Sequence, residues 1–90
     1  MAQIVATPED IERFAQQLKQ FNSDLHSRMA VLQGQFHRLG DTWRDQEHAR
    51  FAQEFEQTVR VLAQFERASE QQIPFLLRKA QRLREYLGQR

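Results

Sequence analysis

The sequence predicts an all-α fold: an antiparallel helical hairpin that pairs with a second hairpin as a four-helix-bundle dimer. Three observations predict it. Apolar residues recur at steps of three and four along most of the chain, the spacing of one helix face. Glycine and proline, which punctuate loops, number only three and two in 90 residues, and Gly40 falls near the middle. Seven phenylalanines, with the aliphatic residues, offer more apolar surface than the single seam between two helices can bury.

The chain reads as one domain, residues 1–90. The first helix is expected over about 8–39. Thr7 can cap it, Pro8 suits the first helical position, and Glu9 and Asp10 favour the positive end of the helix dipole. The Thr7-x-x-Asp10 spacing approximates a capping box. Ile11, Phe14, Leu18, Phe21, Leu25, Met29, Leu32, Phe36 and Leu39 then share a face. The step from Leu25 to Met29 is a stutter in a heptad-like seam. Glu9/Arg13 and Asp24/Arg28 have the favourable order for i,i+4 ion pairs.

Gly40 is expected to close this helix in the left-handed conformation, which glycine adopts without steric cost. The turn covers about 40–44, with Asp41 or Thr42 as the next cap. The second helix is expected over about 45–87, with Phe51, Phe55, Val59, Leu62, Phe65, Ser69, Ile73, Leu76, Ala80, Leu83 and Leu87 on its apolar side. Its seam is weakest between Glu66 and Gln72. Pro74 has no N–H and should kink or break the helix. If the hairpin folds near Thr42, residue i faces roughly 84 − i. The segment after Pro74 then overhangs the first helix by roughly 15–20 Å. That overhang carries Leu76, Leu83, Tyr86 and Leu87.

So much unpaired apolar surface marks a partner face. A homodimer is the simplest occupant, and a heterodimer with a related chain meets the same physical need. The dimer and core seam is assigned to Phe14, Leu18, Phe21, Leu25, Phe55, Val59 and Leu62, some of which must serve the contact within the hairpin.

Several function classes are disfavoured. No phosphate-binding glycine loop, nucleophile elbow or metal-type His spacing is present, and there is no cysteine, so no catalytic residue, metal or cofactor is assigned and no small-molecule substrate is expected. Asp45-x-x-His48 has the spacing of an acid–His pair from a di-iron bundle, but such a site needs a second pair and further inward carboxylates. No stretch is long and apolar enough to span a bilayer, and the N-terminus has no signal-peptide pattern. The protein is expected in the cytoplasm, exported without a signal peptide, or both. Net charge is +1, but residues 78–90 carry five cations against one acid, while the remainder is slightly acidic. That basic end is short for nucleic-acid binding. It suits a helix C-terminus or an acidic partner surface.

The single tryptophan, Trp43, stands at the corner, where it can close the end of the core with a large apolar ring. Length, hairpin layout and this Trp together resemble the WXG-100 family of small ESAT-like proteins associated with type VII (ESX) secretion. The local match is Trp43-Arg44-Asp45 followed by Ala49, Phe51-Ala52 and Phe55. Asp45 stands where the family has glycine, and Arg90 stands four places after Tyr86, where the family's tail signal has an acid. The resemblance implies a non-enzymatic protein that forms homo- or heterodimeric four-helix bundles. It implies a secretion ATPase or a larger cargo protein as further partners. It places Trp43, Asp45 and Phe51 at a partner-facing tip. An intracellular coiled-coil adaptor or regulator with no secretion role is the alternative reading.

Overall fold

The computed structural model describes residues 7–88. Two helices, α1 (Pro8–Leu39) and α2 (Gln46–Gly88), lie antiparallel in a rod of 69 × 26 × 19 Å. No strand occurs among the described residues. Arg90, on which the tail-signal comparison turns, lies outside them.

Helix α1 starts as its sequence dictates. Thr7 is extended (φ −87°, ψ 151°), and its Oγ1 accepts a hydrogen bond from the Asp10 N–H at 3.2 Å. One of the unpaired N–H groups of the first turn is thereby satisfied. The expected ion pairs of α1 rearrange: Arg13 pairs with Asp10 at 2.9 Å, and Asp24 accepts from Gln20 Nε2 at 3.0 Å.

The corner differs from the expectation in two respects. Gly40 is right-handed (φ −64°, ψ −15°), and no described residue has a positive φ. The last carbonyls of α1 are instead taken up by a tight run of turn N–H groups. The Gly40 N–H reaches Phe36 O and His37 O, that of Asp41 reaches Arg38 O, and those of Thr42 and Trp43 both reach Leu39 O. Arg44 Nε adds a bond to Gly40 O at 3.1 Å. Glycine is favoured at residue 40 by space: a Cβ there would lie 3.2 Å from His37 O and 3.7 Å from His48 Nε2. The second difference is the cap of α2. Asp45, rather than Asp41 or Thr42, fills that place, its Oδ1 accepting from the His48 N–H at 3.0 Å.

Moving the cap to Asp45 moves the pivot of the hairpin. Asn22 meets Ser69 and Glu12 meets Arg84, where a fold about Thr42 would have matched them with Leu62 and Gln72. The expected overhang is therefore absent. Leu76 and Leu83 are half-buried alongside α1, and Ala80 is fully buried. Tyr86 and Leu87 remain exposed near the level of the α1 start. Helix α2 runs through Pro74 without a break.

The seam between the helices is built on heptad spacing. In α2 one row is Phe55, Leu62, Ser69, Leu76 and Leu83, and the next is Val59, Glu66, Ile73, Ala80 and Leu87. The most deeply buried positions are small: Ala15, Ala80 and Ser69, with Asn22 beside them. Small residues let the backbones approach, but they leave little interior volume for the larger side chains.

Candidate functional site

The hairpin tip is an aromatic cluster assembled from both helices and the turn. Phe36 of α1 stacks nearly parallel on His48 (5.2 Å between centroids, 9°) and packs at a tilt against Phe51 and Phe55 of α2. Trp43 meets His48 edge-on at 5.0 Å and Phe51 at 6.2 Å. The turn places the indole by holding the Trp43 N–H on Leu39 O at 2.9 Å. Such edge-to-face and offset contacts match the ring quadrupoles and add to the apolar burial. Of the three residues assigned to the tip, Trp43 and Phe51 meet in this cluster, and Asp45 holds the first turn that carries His48. His48 itself belongs to the cluster, whereas its sequence spacing points only to an acid–His pair with Asp45.

The residues assigned to the seam separate into two groups. Leu18, Leu25, Phe55, Val59 and Leu62 are half-buried between the helices. Phe14 and Phe21 are 56% and 53% exposed, and Phe21 meets Phe65 of α2 edge-on at 5.9 Å. That contact bridges the two helices on one flank, and by helical phase Leu32 and Leu39 extend the same flank on α1. Phe51, itself 43% exposed, lies in the heptad row of Phe65. The result is an apolar face running from the tip along most of the hairpin.

The opposite flank is mixed. A cavity of about 640 Å³ is lined there by Lys19, Asn22, His26, Glu66, Glu70 and Pro74, among others. At its base lies a buried polar layer. Ser69 Oγ has one proton to share between Asn22 Oδ1 at 2.8 Å and Glu66 O at 3.0 Å, while Asn22 Nδ2 has no partner. His26 Nδ1 lies 3.2 Å from Glu66 Oε1. Asn22 was absent from the sequence-derived seam. Its spacing of seven from Ala15 and four from Leu18 could have placed it there.

At the open end, Arg84 grips Glu12 with both terminal nitrogens. Nη2 donates to Oε1 at 2.7 Å and Nη1 to Oε2. The bond to Arg84 holds the Glu12 carboxyl below its usual range, and Glu12 in turn pushes the Arg84 guanidinium up. Among the described residues, no three His, Asp or Glu side chains converge as metal ligands would, and no helix is long and apolar enough to cross a membrane. An open apolar face ending in an aromatic tip is the kind of surface that can bind a macromolecule.

Comparison with known proteins agrees with this arrangement. The family model WXG100, described as proteins of 100 residues with WXG, matches residues 3–86. Among solved structures, the secreted protein EsxB of Bacillus anthracis str. Sterne is similar. Its wild-type crystal form is 31% identical, with a TM-score of 0.77 over 93% of this chain and 97% of that chain. The selenomethionine-labelled form is 30% identical, with the same TM-score over 96% and 98%. No curated protein sequence matches.

Proposed function

Since the chain belongs to the WXG100 family of small, type VII secretion-associated proteins, we propose that it acts without catalysis, as a dimeric secretion substrate or partner-binding adaptor. The observation that carries this reading is the open apolar face. Phe14, Phe21, Phe51 and Phe65 all stand substantially exposed, while among the described residues the buried apolar side chains are Ala15, Ala80 and Pro8, none of them large. A rod with so little interior gains stability by covering that face, and a second copy is the simplest cover. Trp43 and Phe51, at the end of the face, are the tip's contribution to a further partner, a secretion ATPase or a larger cargo protein.

The test uses Phe21 rather than the half-buried Leu25, so that the hairpin itself is spared. Phe21→Asp sets a charge in the middle of the dimer face, where it has no partner. Light scattering should give a dimer for the native chain and a monomer for the variant, with helicity retained. A monomeric native chain would overturn the dimer. Export is tested in the native host: the protein should appear in culture supernatant without lysis, and depend on the secretion ATPase. Retention inside the cell would favour the rival reading of an intracellular adaptor, which the basic Arg90 four places after Tyr86 supports.

A further inference from the structure

The C-terminal end of α2 carries a feature that neither the seam nor the tip absorbs. It continues the flank of Phe51 and Phe65, since Lys79 and Tyr86 lie in their heptad row, but changes it from apolar to basic. Phe75, Lys79, Arg82 and Tyr86 follow one another at steps of four, three and four, and Arg78 flanks them. At 3.6 residues per turn these five side chains fall within an arc of about 100°. Phe75 is 61% exposed and Tyr86 70%. The two rings stand roughly 16 Å apart along the axis, with the cations between them.

The charges of this stripe are unsatisfied. Among the described residues, Arg13, Arg60 and Arg84 each pair with a carboxylate, but Arg78, Lys79 and Arg82 do not. The nearest acid in sequence, Glu85, accepts from Gln81 Nε2 at 3.4 Å. We propose that this stripe is a docking site for an acidic segment of a partner protein. Carboxylates would lie along Arg78, Lys79 and Arg82, and apolar groups would pack on the Phe75 and Tyr86 rings.

Charge and spacing favour that occupant. Three cations in line match acidic side chains at helical spacing or at alternate positions of an extended strand. A membrane surface is a poorer match, because polybasic anchors carry about four to eight cations and interfacial helices a continuous apolar face. Nucleic acid is poorer still, because the rest of the chain is slightly acidic and the total charge is only +1. The inference concerns the stripe alone and holds for an exported or a retained protein.

A fluorescein-labelled, glutamate-rich peptide of about ten residues with one phenylalanine is the probe, read by anisotropy at about 50 mM and about 0.5 M salt. Binding is expected at the lower salt and should weaken about tenfold or more at the higher. Lys79→Glu with Arg82→Glu should abolish it, Lys79→Gln with Arg82→Gln should weaken it, and Phe75→Ala should weaken it a few-fold at either salt. Arg60→Glu, at a cation already paired with Glu56, is the control that should change nothing. Circular dichroism verifies that each variant stays helical. Absence of peptide binding would overturn the proposal, as would binding that survives the double reversal. So would capture by phosphatidylglycerol vesicles with no peptide binding, which would make the face a membrane site. A double reversal that changes the solution mass would assign the stripe to a second copy and overturn it equally.

Discussion

The two ends of the hairpin are closed by different physics. At the tip, five residues of turn and cap bind the last carbonyls of α1 and the first N–H groups of α2, and five aromatic rings from Phe36 to Phe55 pack over them. At the open end, the polar link between the helices is the bidentate Arg84–Glu12 pair, whose side chains are well exposed. Packing of apolar rings is insensitive to salt and to pH through the carboxylate range, whereas an exposed ion pair is screened and titrates. The hairpin should therefore open from the end that carries its termini, while the Trp corner persists as the ordered unit. The same asymmetry shows on the surface: aromatic rings gather at the tip, whereas Arg78, Lys79 and Arg82 gather near the open end.

The largest test of this contrast is Phe36→Ala. Phe36 touches His48, Phe51 and Phe55, so removing its ring takes out the centre of the cluster. A loss of about 3 kcal/mol is expected in chemical denaturation, at the low end for Phe→Ala because the ring is not fully buried. Measured at a fixed protein concentration, so that dimerisation does not confound it, a loss under about 1 kcal/mol would mean that the tip is not the stable end. Trp43→Ala should cost less, about 2 kcal/mol, because the indole covers the outside of the cluster rather than its centre.

Asp45 provides a finer test at the same end. Asp45→Ala should cost about 1 kcal/mol through loss of the cap, whereas Asp45→Gly should cost only a few tenths. Glycine and aspartate are both accepted at a helix N-cap, glycine for its backbone freedom and aspartate for its acceptor oxygen. This gives a physical reason why an aspartate can stand where the family motif has glycine. Equal losses for the two variants would show that the hydrogen bond to the His48 N–H contributes nothing.

Asp45 also shows where the sequence was legible and where it was not. The start of α1 could be read because Thr7, Pro8, Glu9 and Asp10 all point to one residue. The corner offers three capping residues, Asp41, Thr42 and Asp45, within five positions, and propensity does not rank them. Three residues of displacement in the pivot become six in the facing partner, because facing numbers sum to twice the pivot. The contact of Asn22 with Ser69 is shifted by seven, and the long side chains of Glu12 and Arg84 reach further along the rod. That shift carries the end of α2 back to the level of the α1 start, so the overhang disappears. The periodicity identified the apolar residues, but not which of them face α1 and which face outward. Phe14 and Leu18 differ by a little more than one helical turn, yet one is exposed and the other half-buried. The Asn22–Ser69 contact, 47 residues apart, follows only from the register.

The smallest expected effect lies at the open end, and it has a sign. Glu12 has its folded-state pKa lowered by Arg84, so the contribution of the pair is fully present above the ordinary glutamate range near 4.5. It is lost as pH falls through the depressed folded value. Amide exchange in the last turns of α2, corrected for intrinsic chemistry, should therefore be slow at neutral pH and accelerate in acid. Glu12→Gln should make those turns exchange faster at neutral pH and should remove their acid dependence. The amides around Trp43 should not respond to the substitution and should respond less to acid, because the carboxylate there, Asp45, caps α2 without bridging the helices. Acid-induced opening that begins at the Trp43 corner would reverse the assignment of which end yields first. Unchanged exchange in Glu12→Gln would transfer the closure of the open end to the packing of Ala80 and Pro8, both buried at that level.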